Sequence, residues 1–407
     1  MIDLPAAYEP FLKHETRLSS VVAYLPGAEP PSTETLMPRF GELGLTAEAL
    51  SIRGVQGEFD AIHAEVDDVG TLVVRRIKAP HIENHVRETM KLDQATVAAL
   101  DDARWALVVQ LKYSPMPIAD LSDQMRFAHA LAPQMIAVLD SSAQKMRSRE
   151  WVAAVASARV PPAPSSLFTI HAIDRLGGFW LHTHGLQRCA GLELEMHAVP
   201  SAQVAQAANL MNIVAPGFIE RRPAPGAPLS AGELLQLCWV PWQDPAATGS
   251  RPEIERETEH QGPAAVLLTH PELAPAFEGL PRFEQSKTYT GSNMAAARDA
   301  LFAKDTFEGF ARLHAKQHAT PGWRFEVKLP VQSGKRIDFM WFRFEAFRNQ
   351  RIEATLVNSP MGQSTLSSGA RVDRPLAEMA DWAIGAPGGG ARPDSLDALE
   401  ARLRAQS

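Results

Sequence analysis

Apolar positions recur along this chain at two periods, and each period predicts a kind of element. Leu18–Leu25 (LSSVVAYL) reads as a strand, and Thr33–Leu43 follows as a helix with Leu36, Phe40 and Leu43 on one stripe. Glu58–Val66 and Gly70–Ile77 read as a hairpin around Asp67-Asp68-Val69-Gly70. Lys91–Asp102 is expected as a helix, and Trp105–Leu111 (WALVVQL) as a strand buried on both faces. A helix over Ile118–Ala130, a strand over Gln134–Leu139 and a helix over Glu150–Ala158 complete this part. The expected class is α+β, with ferredoxin-like or related α/β sandwich units at the N-terminal end.

The run Pro161–Pro164 (PPAP) is a stiff break, because each proline fixes φ and removes a donor. Phe168–His197 then reads as three short strands. Ser201 offers an N-cap to a helix carrying Val204, Ala208, Met211 and Val214 on one face, with Pro216-Gly217 as its stop. Leu234–Val240 is a buried strand, and Asp244–Gly262 is a polar, acid-rich segment expected as a mobile loop. Farther on, a helix over about Thr306–His318 leads into strict alternation. Trp323, Phe325, Val327, Leu329 and Val331 take one face and Arg324, Glu326 and Lys328 the other. Asp338–Phe347 and Arg351–Val357 continue it, which predicts a small C-terminal antiparallel β-rich domain with one wet face. Phe339–Phe344 is apolar on both faces and is expected mainly in a core. The expected domains are 1–160, α+β; 161–300, α+β, with the histidine-rich strands and the acidic loop 244–262; 301–386, β-rich; and 387–407, a glycine-rich linker with a short tail helix bearing Leu396, Leu399 and Leu403.

Composition narrows the classes. The chain has 407 residues, 45% hydrophobic and 21% charged, with a net charge of −7 spread along it. That is the balance of a folded protein, and no basic face points to nucleic acid. No apolar run approaches the roughly 18–20 residues of a membrane helix. The first residues, MIDLPAAYEPFLKHE, lack a basic region followed by an apolar one, so no secretory signal is expected. Two cysteines, Cys189 and Cys238, form no disulfide framework, and a reducing cytoplasm fits them.

Chemistry concentrates in Phe168–His197, which holds His171, His182, His184, His197, Cys189, Glu193 and Glu195. His182 and His184 share a strand face, because alternate side chains point the same way. Both can reach one metal, and zinc needs a third protein ligand. His171 supplies it only if the hairpin register sets it opposite His182; opposite Leu181 it points away. Cys189 with His182 or His184 is a candidate thiol–imidazole pair, although cysteine is more often a small buried hydrophobe. Leu192, Leu194 and Met196 are expected to face the core, with Glu193, Glu195 and His197 on the other side. Two carboxylates at that spacing, about 7 Å, suit acid–base hydrolysis if the face is covered; a solvated strand gives the same pattern. His314 and His318 at i, i+4 are a weaker metal pair on a helix. Ser333-Gly334-Lys335 lacks the upstream glycine of a phosphate loop, and no G-x-S-x-G or C-x-x-C occurs.

The run IHAID…FWLHTHGLQRCAGLELE resembles an uncharacterised bacterial family with a T-x-GL…G…ELE core, matched here by Thr183, Gly185, Leu186, Gly191, Glu193, Leu194 and Glu195. FEVKLPV…FMWFRFEAF…ATLVNSP…LAEMADW is similar to a second small domain of unknown function, with an aromatic strand, an Asn358-Ser359-Pro360 turn and a closing Asp381-Trp382 pair. The resemblance implies a toxin-immunity setting and carries over no catalytic residues. The expectation is therefore a non-catalytic bacterial protein of the cytoplasm. It would bind another protein, in its specific form a basic toxin domain, through Glu253–Glu259 or the edge of the C-terminal sheet, and not nucleic acid or a membrane. The alternative is a metal-assisted hydrolase centred on His182, His184, Glu193 and Glu195. No cofactor is expected; zinc or another transition metal at His171, His182 and His184 is the exception the pattern allows.

Overall fold

In the computed structural model, the described residues are 5–13, 15–54, 57–66, 70–248, 263–286, 292–334, 336–357 and 366–406. They form two units, Met1–Ser292 and Asn293–Ser407. The expected division at 160 falls between two sheets of the first unit, and that at 300 falls inside the first helix of the second. The α+β class holds throughout. Most of the acidic loop, including Glu253–Glu259, lies outside the described residues, as do Asp67–Val69, Lys335 and the Asn358-Ser359-Pro360 turn. No helix among the described residues is long and apolar enough to cross a membrane.

The first sheet has seven strands. They are β1 (Leu18–Leu25), β2 (Ala47–Gly54), β3 (Gly57–Val66), β4 (Gly70–Lys78), β5 (Trp105–Lys112), β6 (Ala137–Asp140) and β7 (Lys145–Ser148), in the order β2-β3-β4-β5-β1-β6-β7. All neighbours pair antiparallel. The helices are α1 (Thr33–Glu42), α2 (Asn84–Thr89), α3 (Gln94–Asp101), α4 (Pro117–Leu131) and α5 (Arg149–Ser157). Within this set β1, α1, β4, β5, α4 and β6 follow the βαββαβ order of a ferredoxin-like unit, and the hairpin β2–β3 and strand β7 extend it. Central β5 is buried on both faces, as its unbroken apolar run requires.

The second sheet carries the histidines. Its strands are β8 (Thr169–Arg175), β9 (Gly178–His184), β10 (Glu193–Val199), β11 (Leu229–Ser230), β12 (Gln236–Pro241) and β13 (Ala264–Thr269), in the order β11-β12-β13-β10-β9-β8. Helix α6 (Val204–Arg221) packs across β8, β9 and β10. It runs straight through Pro216-Gly217, where the sequence predicts a stop. Burial explains the difference. Val214, Ala215, Pro216, Gly217, Phe218 and Ile219 are all buried, and that apolar turn outweighs the roughly 3 kcal/mol an internal proline costs. Pro245–Thr248, expected as part of a loop, is a helical turn.

The second unit holds α7 (Asn293–Asp305), α8 (Phe307–Gln317), a five-stranded antiparallel sheet and α9 (Leu396–Gln406). The strands are β14 (Arg324–Ser333), β15 (Arg336–Arg348), β16 (Arg351–Leu356), β17 (Arg371–Pro375) and β18 (Asp381–Gly385), in the order β17-β16-β15-β14-β18. Phe325, Val327, Leu329 and Val331 point inward as the alternation predicts, against Phe307, Phe310 and Trp382. Phe342 and Phe344 are buried, whereas Ile337 and Phe339 on the outer face are exposed. Gly385–Arg392, expected as a flexible linker, is pinned by a bridge between Ile384 and Ala391.

Candidate metal centre

A two-residue turn, Leu176-Gly177, joins β8 to β9, and Arg175 pairs with Gly178. Gly177 and Gly178 both have positive φ, which glycine adopts without strain. This turn sets the register that the sequence leaves open. His171 pairs with His182, and His184 with Thr169, so all three imidazoles stand on one face. Their ring centroids are 5.6 Å (His171–His182), 4.8 Å (His171–His184) and 4.8 Å (His182–His184) apart. The Nε2 atoms of His182 and His184 approach to 3.0 Å. One nitrogen from each ring lies within 4.8 Å of the other two, and all three residues are buried.

Strand β10 brings a fourth group to this face. Glu195 pairs directly with His182, and cross-strand partners project to the same side. Alternation within one strand does not relate the carboxylates to the histidine pair; the register unites Glu195 with His182. Glu195 Oε2 lies 2.9 Å from Nε2 of His197, and both side chains are buried. The face is thus covered, the condition under which these residues carry chemistry rather than solvation.

Glu193 has a different task. Its carboxylate accepts from the Thr183 hydroxyl at 2.7 Å and from the backbone N–H groups of Gly185, Leu186 and Gln187 at 3.0–3.3 Å. Burial pushes its pKa up, against the pull of those four donors. Thr183 Oγ1 in turn accepts from the N–H of Leu194 at 2.8 Å. Thr183, Gly185 and Glu193 therefore clamp the turn Leu186–Cys189 onto β10.

A cavity of about 280 Å³ opens beside His182, His184 and Glu195. Its other walls come from Arg17, Ser141, Ser142 and Gln144. None of these is marked by the sequence, because they lie far from the histidines along the chain. His85 of α2 is a further such residue. Its ring stands 5.5 Å from His171, and its Nε2 lies 2.9 Å from Gln144 Oε1. Arg188, on the turn after His184, forms a two-pronged pair with Asp140 at 2.9 and 3.1 Å and ties this sheet to β6.

Cys189 does not line the cavity; it is buried, and burial pushes its thiol up to about 12. Burial likewise lifts Cys238 to about 11. At a pKa of 12 the thiolate is roughly one ten-thousandth of the population at pH 8. Ellman's reagent is therefore expected to titrate under about 0.1 thiol per folded chain within minutes, and both after guanidinium unfolding. Fast reaction of either thiol in the native protein would refute this. In the second unit His314 and His318 stack at 5.0 Å, and burial, then the charge of His318, holds His314 below the usual imidazole range.

Comparison with known proteins comes down to three domain families. Residues 72–162 match "Protein of unknown function (DUF4026) N-terminal" and 170–268 match "Protein of unknown function (DUF4026) C-terminal". Residues 292–389 match "Uncharacterized protein conserved in bacteria (DUF2314)". All three families are of unknown function. The resemblance to uncharacterised bacterial domains read from the T-x-GL…G…ELE motif and the aromatic strand is thus confirmed. No curated protein and no solved structure matches the chain significantly. The candidate site residues His171, His182, His184 and Glu195 fall in the second matched domain.

Proposed function

We propose that this bacterial protein, in the cytoplasm, binds one zinc-class transition metal through His171, His182 and His184 and uses it for hydrolysis in the adjoining cavity. The observation that carries the reading is the pairing of His171 with His182, which brings three buried imidazole nitrogens within 4.8 Å of one another, two of them on residues that line the cavity, His182 and His184. Imidazole donors suit zinc, copper, nickel and iron. Three protein ligands beside a cavity match hydrolytic zinc sites, whereas structural zinc takes four. A metal held there polarises a carbonyl or phosphoryl group and acidifies a coordinated water. The chain's own groups supply the rest: Glu195, oriented by His197, stands across from His182 where a proton acceptor is needed.

Protein purified without a polyhistidine tag is expected to carry about one equivalent of transition metal, by elemental analysis. His182→Ala and His171→Ala are expected to lower it to below about 0.1 equivalent, with the circular dichroism spectrum retained. A folded wild-type protein that takes up no metal at micromolar concentration would sink the proposal. The non-catalytic, protein-binding role expected from composition and family resemblance would then stand as the better reading.

A further inference from the structure

Three features of the cavity bear on what it accepts. Its size, about 280 Å³, lies just under the roughly 300–1,000 Å³ of drug-sized ligand sites, so it admits a small molecule. Its carboxylates are engaged within the protein, Glu193 by Thr183 and three backbone N–H groups and Glu195 by His197. Its surroundings are cationic. Arg188 lines it and is paired with Asp140 behind the wall, where Arg147 and Lys145 also face that one carboxylate.

Arg17 is the cation available at the mouth. Its backbone N–H donates to the Gln187 carbonyl at 3.2 Å, which fastens it to the turn that follows His184. Its side chain is exposed and borders the cavity, and among the described residues no carboxylate lies within ion-pair distance of it. Arg188, by contrast, is bound on both prongs by Asp140 and donates to Ser19 Oγ and the Leu167 carbonyl as well. A guanidinium fork matches the paired oxygens of a carboxylate or phosphate, and Ser141 and Ser142, which also line the cavity, carry hydroxyl groups that can donate to such oxygens.

We propose that the cavity selects a small substrate bearing an oxyanion, a carboxylate or a phosphate, and that Arg17 is the residue that recognises the charge. This rests on the three-histidine metal reading, and the test separates the two. The protein loaded with cobalt(II), whose visible absorption reports its coordination, is titrated with inorganic phosphate and, separately, with acetate. A saturable spectral change is expected with at least one of them, and which one responds identifies the oxyanion. Arg17→Met is expected to weaken that anion about tenfold or more while cobalt affinity stays within about twofold, and Arg17→Lys to retain part of the binding. A cobalt spectrum indifferent to both anions, or a titration that is the same in Arg17→Met, overturns the oxyanion assignment alone. Failure to take up cobalt at all overturns the metal reading and this proposal with it.

Discussion

Asp140→Ala is expected to destabilise the first unit by about 3–5 kcal/mol, the usual consequence of stranding a buried charge. Arg188 is 1% exposed, and its two prongs meet the two oxygens of Asp140, which is fully buried. Burial works against the Arg188 charge, but Asp140 and its other neighbours outweigh that and hold the guanidinium above its ordinary value. It therefore cannot escape the loss of its partner by shedding a proton. Arg147 and Lys145, which also face Asp140, lose the same counter-charge. Removing both partners should be far milder. The double variant Asp140→Leu/Arg188→Met is expected to recover more than half of the loss, because no buried charge is left unpaired. Urea unfolding followed by tryptophan fluorescence measures both. A loss below about 1 kcal/mol for Asp140→Ala would show that water reaches Arg188 and that the pair is not a structural tie.

Gly185→Ala carries the second large effect, expected at about 3 kcal/mol or more. Gly185 has φ +116°, and a Cβ placed on it would sit 2.3 Å from the Leu167 carbonyl oxygen and 3.2 Å from Phe168 Cα. Both neighbours are backbone at the entrance to β8, so neither can swing aside as a side chain does. The N–H of the same residue donates to Glu193, and His184 directly precedes it. Displacing Gly185 therefore loosens the clamp on the turn and moves His184, a proposed metal ligand, so under that proposal metal content should fall along with stability. Gly27→Ala is the control. It has φ +99° with nothing within 4 Å of the added carbon, so only backbone strain of about 1–2 kcal/mol applies. Thermal unfolding that places Gly185→Ala within about 1 kcal/mol of Gly27→Ala would rule out the steric account.

The sequence made the elements legible wherever burial is one-sided and periodic. Alternation from Phe325 to Val331 and the stripe Leu396, Leu399, Leu403 translate directly into buried faces, since one pattern of side chains fits one period. Two kinds of feature escaped. Short strands such as β7 carry too few apolar positions to show a period, and the alanines of α7 spread its apolar positions without a stripe. Local rules also mislead when tertiary burial opposes them, as at Pro216 in α6. The candidate site divides the same way. The residue types of Phe168–His197 are visible in one dimension, and the sharing of a face by His182 and His184 follows from the pleat alone. That His171 and Glu195 join them depends on two cross-strand registers, one of them set by a turn whose adjacent glycines permit more than one placement. Arg17, His85 and Gln144 reach the cavity region from distant parts of the chain, a long-range approach that no local pattern encodes.

The tripeptide His182-Thr183-His184 interleaves two separate inheritances. Thr183 belongs to the clamp that, with Gly185 and Glu193, holds the turn in place; the histidines on either side of it belong to the cavity. Substitution at the first set breaks the scaffold, and substitution at the second leaves the scaffold standing. Kinship judged from Thr183, Gly185 and Glu193 therefore tracks shape, while Glu195, the last residue of E-L-E, sides with the cavity. A descendant can keep those residues, exchange both imidazoles for apolar side chains, and persist as a folded relative without the proposed metal site.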